Sequence, residues 1–442
     1  MATRRETERP LPPGRMGWPL LGETLSFLED GFGFIERRRG QYGPVFKTHL
    51  LGRRAVVLVG PEGSGQFIDG AVQRAGAMPP HIQELFGGTS LPLLDGAEHL
   101  ARKTFILTGF TREALAAYLP VMERMTGEAC ERWASAGEFA WIEDMKRLSI
   151  EVICATVMGI QPGPATDDLR RQYDVVLKAF ARLPIPLPGT AYTRAQAALD
   201  RILARFEKVL RERQAEPRDD GVSRILAATT AEGGRIGLDE CKIELHHLIL
   251  AGFIVFAELA ALVLQLTRHP DVHRRLAAEV ATLPPGELRL ESLAALPYLA
   301  QVVMEVKRLC PIAPVFFGKA RYSFEFKDYR VPAGWMVLWA HRSSHLTDDT
   351  YPDPERFDPE RFAAGRAEHR RHEHAFVPHG AGPAHGHKCP GTDFATVLMD
   401  VFAVKLLRGY SWELAAGQDL DYDWKLIPPE PKDGLRARLR RR

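Results

Sequence analysis

The sequence predicts a mainly α protein with small β-sheets, and three observations lead there. From about Phe110 to Met304 apolar residues recur at helical spacing, interrupted by short breaks containing glycine or proline. Strand-like runs sit at the two ends of the chain and do not alternate with helices, which excludes a Rossmann or barrel plan. No Gly-x-Gly-x-x-Gly run follows a strand, so the sequence carries no sign of a dinucleotide site.

Each element has a local cause. Residues 1–22 read as an irregular, proline-rich arm, in which Met1–Pro10 is polar and charged and Pro10–Gly22 mixes proline and glycine with apolar residues. Val45–His49 and Ala55–Val59 are β-rich runs separated by Gly52. Helix breaks are expected at Gly159–Pro164, Leu183–Gly189, Glu216–Gly221, Glu232–Gly237 and Leu283–Gly286. Phe324–Pro332 and Trp335–Trp339 read as short strands, followed by an irregular, proline-punctuated stretch up to Cys389. A last helix is set by Phe394, Val397, Leu398, Val401, Phe402 and Leu406.

Composition narrows the function. With 45% hydrophobic and 26% charged residues the chain can bury a large core and is not a disordered segment. A net charge of +2 gives no reason to expect nucleic acid, and the basic Arg436–Arg442 tail reads as a solvated end. Five cysteines, an odd and low count, argue against a disulfide framework and for a reducing compartment. The N-terminal region has neither an apolar run of membrane-spanning length nor a signal-peptide core, so a soluble, cytoplasmic protein without a transmembrane anchor is expected.

The most informative stretch is Phe376-Val-Pro-His-Gly-Ala-Gly-Pro-Ala-His-Gly-His-Lys-Cys-Pro-Gly391. Gly380, Gly382 and Gly386 remove side chains where backbone must pass close to something large and flat. Pro390 suits a helix start, where its missing N–H costs nothing. A helix N-terminus beside Cys389 is expected to lower the thiol pKa and favour a thiolate, the form that ligates a metal. Cys130, Cys154, Cys241 and Cys310 read instead as small buried hydrophobes.

This stretch, with Glu305-Val-Lys-Arg308 and Phe357-Asp-Pro-Glu-Arg-Phe362, resembles the cytochrome P-450 (haem-thiolate) family, from Pro10 to about residue 414. The resemblance implies the P-450 fold, one triangular-prism-like helical domain over residues 1–442, with Cys389 as the ligand of haem b (iron protoporphyrin IX). It implies a charge network of Glu305, Arg308 and Arg361 that fixes the cysteine loop. It places His99, with Arg102 or Lys103, and also Lys319 and His387 toward the haem propionates, and Phe376, Gly382 and Gly391 around the cofactor. The segment Leu183-Pro-Ile-Pro-Leu-Pro-Gly-Thr-Ala-Tyr192, the opening Pro12-Pro-Gly-Arg-Met-Gly-Trp-Pro19 and Val331-Pro-Ala-Gly-Trp335 are similar to the branch holding retinoid and plant sterol and terpenoid hydroxylases. That implies a small, lipophilic, isoprenoid-sized substrate and, with no flavin or nucleotide module in the chain, a separate ferredoxin or flavodoxin-type partner. The partner would dock near Arg366, Arg370, Arg371 and Lys388.

The chain departs from the family at its long helix near Leu245–Thr267. Ala251-Gly252 is followed by Phe253, Ile254 and Val255, where the family usually carries an acid and a threonine. No hydroxyl residue lies between His247 and Leu266, and the spacing to His269-Pro270 suggests loss of a local helix bulge. Ala251, Gly252, Phe253, Ile254 and Val255 are expected to wall the substrate cavity, beneath the Leu183–Tyr192 lid. Glu258 reads either as a distal acid or as the partner of another side chain. Missing the acid–alcohol pair, the chain keeps a second reading as a peroxygenase or as an electron-independent isomerase or dehydratase. The cysteine loop is also similar to that of fatty-acid peroxygenases. A third reading, a silent homologue that activates a partner, fits poorly with a retained Cys389. His369, His372, His374, His379, His385 and His387 match no tetrahedral zinc spacing and read as a solvated set, partly facing the propionates.

Overall fold

The computed structural model describes residues 9–68, 70–180, 182–230 and 233–442. Met1–Glu8 of the arm and Glu232 of the fourth expected break lie outside the described residues. The helices that matter here are α1 (Gly96–Leu107), α2 (Trp141–Met158), α3 (Pro164–Phe180), α4 (Ala191–Ala215), α5 (Leu238–Phe253), α6 (Phe256–Arg268), α7 (Pro297–Leu309) and α8 (Thr392–Gly409). Their ends follow local chemistry. Gly159 closes α2 in the left-handed conformation at φ 64°, which an L side chain would resist. The Thr190 side chain accepts the Thr193 N–H to start α4, and Pro297 occupies the first turn of α7.

The main sheet runs β1 (Val45–Leu50), β2 (Arg53–Leu58), β5 (Met336–Trp339), β4 (Phe316–Ala320), β3 (Val72–Gln73), and only the β2–β5 pairing is parallel. β1 and β2 turn through Leu51 and Gly52 at φ 55° and 74°, the positive pair that a two-residue hairpin with native twist requires. A second sheet places Arg436–Arg441 between Glu138–Ala140 and Tyr410–Leu414.

The core is helical. α5 and α6 run through its centre against α2, α4 and α7. Leu238–Arg268 is the one span among the described residues long and apolar enough to cross a membrane, but 83% of its most apolar window is buried inside the protein. The Cβ of any residue larger than glycine at position 252 would stand 2.3 Å from Ile153 Cγ1, so Gly252 lets α5 approach α2.

The helix is not continuous, but the interruption is a local tightening and not a bulge. Ile254 and Val255 separate α5 from α6. Beyond them Ala257 N–H reaches Ile254 O at 3.2 Å and Glu258 N–H reaches Val255 O at 3.0 Å, the tighter i to i+3 pattern. Adjacent β-branched residues weaken the helix at this point, so the irregularity survives without a hydroxyl group. Pro390 also stands further out than expected, since α8 begins at Thr392 with Gly391 as its cap.

Overpacking a core contact of this kind costs about 1–3 kcal/mol. Gly252→Val is therefore expected to lower the urea unfolding midpoint by that equivalent; an unchanged midpoint would contradict the close α5–α2 approach.

Candidate active site

The site is built on a buried charge network. Glu305 and Arg308 on α7 pair in a fork, with Arg308 Nε 2.6 Å from Glu305 Oε2 and Nη2 2.8 Å from Oε1. Arg361, on the short turn Pro359–Phe362, adds Nε at 3.3 Å from Glu305 Oε1, and the Asp358 N–H donates to the same oxygen at 2.8 Å. The sequence reading missed Glu368, a second buried carboxylate 3.0 Å from Arg361 Nη1. Nothing in its local sequence marked it, because burial of an acid shows only once the turns are folded around it.

The network reaches the cysteine loop through histidine. Arg308 Nη1 donates to the His345 carbonyl at 2.9 Å, and His345 Nε2 accepts the Val377 N–H at 3.1 Å. Phe376 packs on Phe362 and His345 at ring distances of 5.0 and 5.9 Å. Further along, the Cys389 N–H donates to the His379 carbonyl at 2.8 Å. Gly380 holds φ 75° with its absent Cβ 2.9 Å from His387 O, and Gly382 holds φ 92° beside open space. Gly391 passes 4.0 Å from Cys389 Sγ at the position of its missing Cβ.

The bare thiol does not follow the expected pKa direction. Burial pushes Cys389 up, and this outweighs the Gly391 N–H, Lys103 and Lys307, which all act downward. Anion stabilisation at the helix start is present but is smaller than the desolvation cost.

The cations around the sulfur indicate what the site accepts. Lys103 on α1 is buried and has no carboxylate partner among the described residues. Its Nζ donates to the Gly386 carbonyl at 3.0 Å and to the Lys388 carbonyl, and burial holds its pKa down to about 8. The His99 and His387 rings lie 4.2 Å apart, and burial, followed by the charges of His387 and Lys103, holds His99 at about 4. His387 Nε2 lies 3.5 Å from Asp95 Oδ1. Lys319 on β4 makes no ion pair among the described residues. A half-buried thiol and a buried lysine lacking a counter-anion fit a cofactor that brings both a metal and carboxylates, as haem b does.

Arg102 corrects the sequence reading. Its side chain is spent on Glu244 and Glu240 of α5, at 2.9 Å each, and is not free for a propionate. The i, i+1 neighbours Arg102 and Lys103 leave α1 in different directions, so only Lys103 reaches the loop.

The expected cavity wall is also redrawn. Phe253 is fully buried and packs against Tyr173 of α3 at 6.0 Å and Phe256 at 5.5 Å. Gly252 faces Ile153 and Val255 is buried. Between Glu244 and Leu266 only His247, Ala251 and Ile254 are not buried, and their spacing puts them on one face. Glu258 is fully buried and accepts from His379 Nε2 at 2.9 Å. Burial works against its charge, but Lys307 and His379 together hold the carboxyl below its usual range. Glu258 is therefore an ionised partner of the loop, and not a free acid.

Three surface expectations change as well. Leu183, Ile185 and Leu187 of the expected lid are 51%, 47% and 61% exposed, so these side chains point to solvent. Arg366 is paired with Asp358 at 2.8 Å and Glu368 at 2.7 Å, and Arg371 lies 3.8 Å from Glu368, which dilutes the basic patch. His374 and His379 are turned inward, and no metal-ligand cluster occurs among the described residues.

Comparison with known proteins agrees with this geometry. The family model "Cytochrome P450" matches residues 12–433. The chain is 33% identical to "Putative cytochrome P450 120" of Synechocystis sp. over 97% of both chains. It is 30% identical to "Abscisic acid 8'-hydroxylase 3" of Oryza sativa subsp. indica, over 97% of this chain and 86% of that one. The solved structure "Retinoic acid bound cyanobacterial CYP120A1" superposes with a TM-score of 0.91 at 32% identity, covering 99% of this chain and 100% of that one.

Removing one member of a buried ion network strands the others at about 3–5 kcal/mol. Glu305→Ala is expected to lose that much stability in urea unfolding and to be purified with less haem per chain. Wild-type stability in the variant would contradict the role given to the network.

Proposed function

The chain belongs to the cytochrome P450 family and is a haem-thiolate monooxygenase, and from that membership we propose that it oxygenates an isoprenoid-sized lipophilic acid. The observation that carries this reading is the apolar face of Ala251 and Ile254 on the helix pair that the Glu258–His379 contact ties to the Cys389 loop. Its substrate class is supported by similarity to proteins named for retinoic acid and abscisic acid.

Cys389 would hold haem b, with Lys103 and Lys319 supplying positive charge toward its propionates and His99 and His387 standing beside them as hydrogen-bonding rings. When bound, that group would supply oxygen activation, which a thiolate ligand favours by donating electron density. Ala251 and Ile254 exclude water and accept the apolar body of the substrate by burial. Glu258 Oε1 holds the His379 Nε2 proton and so does not release one to the distal side. Protons must then come from water or from the substrate itself, and positioned acids are typically worth ~10²–10⁴ in rate. Electrons come from a small acidic ferredoxin or flavodoxin-type partner, docking where Arg370 and Lys388 are exposed and bear no ion pair among the described residues.

The test is a panel of retinoid, terpenoid, steroid and fatty acids with surrogate redox partners and NADPH in one arm and hydrogen peroxide alone in the other. Oxygenated retinoid or terpenoid acid in the reductase arm is the expected result. Product from peroxide alone would replace this reading with a peroxygenase, the alternative that the missing acid–alcohol pair favours.

A further inference from the structure

We propose that His247 is the polar anchor of the substrate site, pairing through Nε2 with the carboxylate of the lipophilic acid. This inference rests on the monooxygenase reading above and adds the residue that sets its specificity.

Two neighbouring histidines on α5 behave differently. His246 is fully buried, with Nε2 2.9 Å from the Leu85 carbonyl and Nδ1 3.3 Å from Tyr173 Oη, so both nitrogens are occupied. His247 is 12% exposed, and it is satisfied on one side only, with Nδ1 3.4 Å from Glu244 Oε2. Its Nε2 makes no hydrogen bond among the described residues. Together with Ala251 and Ile254 it forms the single unburied face between Glu244 and Leu266, and it is the one titratable side chain on that face.

Contacts on both sides of this face turn it toward the cysteine loop. At one end Arg102 of α1 holds Glu244 at 2.9 Å, while the adjacent Lys103 reaches the Gly386 and Lys388 carbonyls. At the other end Glu258 holds His379, whose carbonyl accepts the Cys389 N–H. The face between these ties is thus bounded at both ends by contacts to the loop that carries Cys389, with His247 one helical turn before Ala251.

The imidazole is oriented from behind. Glu244 is nearly fully buried and its Oε1 is fixed by Arg102, so its Oε2 holds the His247 ring by Nδ1–H. In the imidazolium form, with a carboxylate on each side, Nε2–H faces the bound carboxylate and the ring donates to two anions at once. Arg102 cannot serve the ligand, because Glu240, Glu244 and Glu98 already surround it. A carboxylate entering an apolar cavity needs such a donor to offset its desolvation. The polar end is thereby held at His247, and the hydrocarbon runs along Ala251 and Ile254 toward the end of the face that Glu258 ties to the Cys389 loop.

The experiment is equilibrium dialysis of the haem-loaded enzyme against all-trans-retinoic acid and retinol, which differ at the polar end alone. His247→Leu is expected to weaken retinoic acid at least about tenfold, the value of one lost charge-assisted bond, while retinol binding stays within twofold. His247→Gln, which keeps a donor without the charge, is expected to lie between wild type and His247→Leu for the acid. Equal affinity of wild type and His247→Leu for the acid, or an equal loss for acid and alcohol, overturns the anchor. If His247→Leu binds neither ligand, the decision passes to His247→Gln, where undiminished acid binding overturns it. Wild-type enzyme that binds neither ligand counts instead against the isoprenoid substrate reading.

Discussion

The constraint on which the site depends is the burial of Glu305. A carboxylate with no solvent exposure is costly unless it is paired, and here two arginines and a backbone N–H pair both oxygens. The consequence is positional. Arg308 fixes the His345 carbonyl, His345 Nε2 fixes Val377, and Val377 begins the loop that ends at Cys389. The sulfur is thus held by a chain of hydrogen bonds originating on α7, with the glycines supplying the tight and left-handed turns. Hydrophobic packing alone would leave such a loop several arrangements of similar energy, whereas a buried charge network admits few.

The distal side is organised differently. α5 and α6 lie within the core, and nearly all their side chains are spent on packing. Their break at Ile254–Val255 persists although no hydroxyl or free acid accompanies it. Glu258, the one carboxylate after the break on α6, is committed to His379 of the loop. A wall with so little proton-donating capacity favours a substrate that brings polarity of its own, and places more weight on the few polar groups the face retains.

Much of this was legible in the sequence, for identifiable reasons. Cys389 with its glycines, and Glu305 with Arg308, are encoded by short local spacings. The strands near Gly52 and the breaks after Met158, Phe180 and Ala215 are punctuated by glycine and proline. What was not legible depends on the direction of a side chain relative to distant elements. Phe253 looked like cavity wall but turns to Tyr173, and Arg102 looked like a propionate partner but turns to α5. Glu368 and the orientation of His247 by Glu244 follow from contacts that no spacing along the chain announces.

The most direct test of the account is the visible absorption spectrum of the haem-loaded protein, reduced under carbon monoxide, for wild type beside Cys389→His. The wild type is expected to show the red-shifted Soret band of a thiolate-ligated carbonyl complex, and the variant a nitrogen-ligated spectrum in its place. A wild-type spectrum without the thiolate band, or one that the substitution leaves unchanged, would contradict the account.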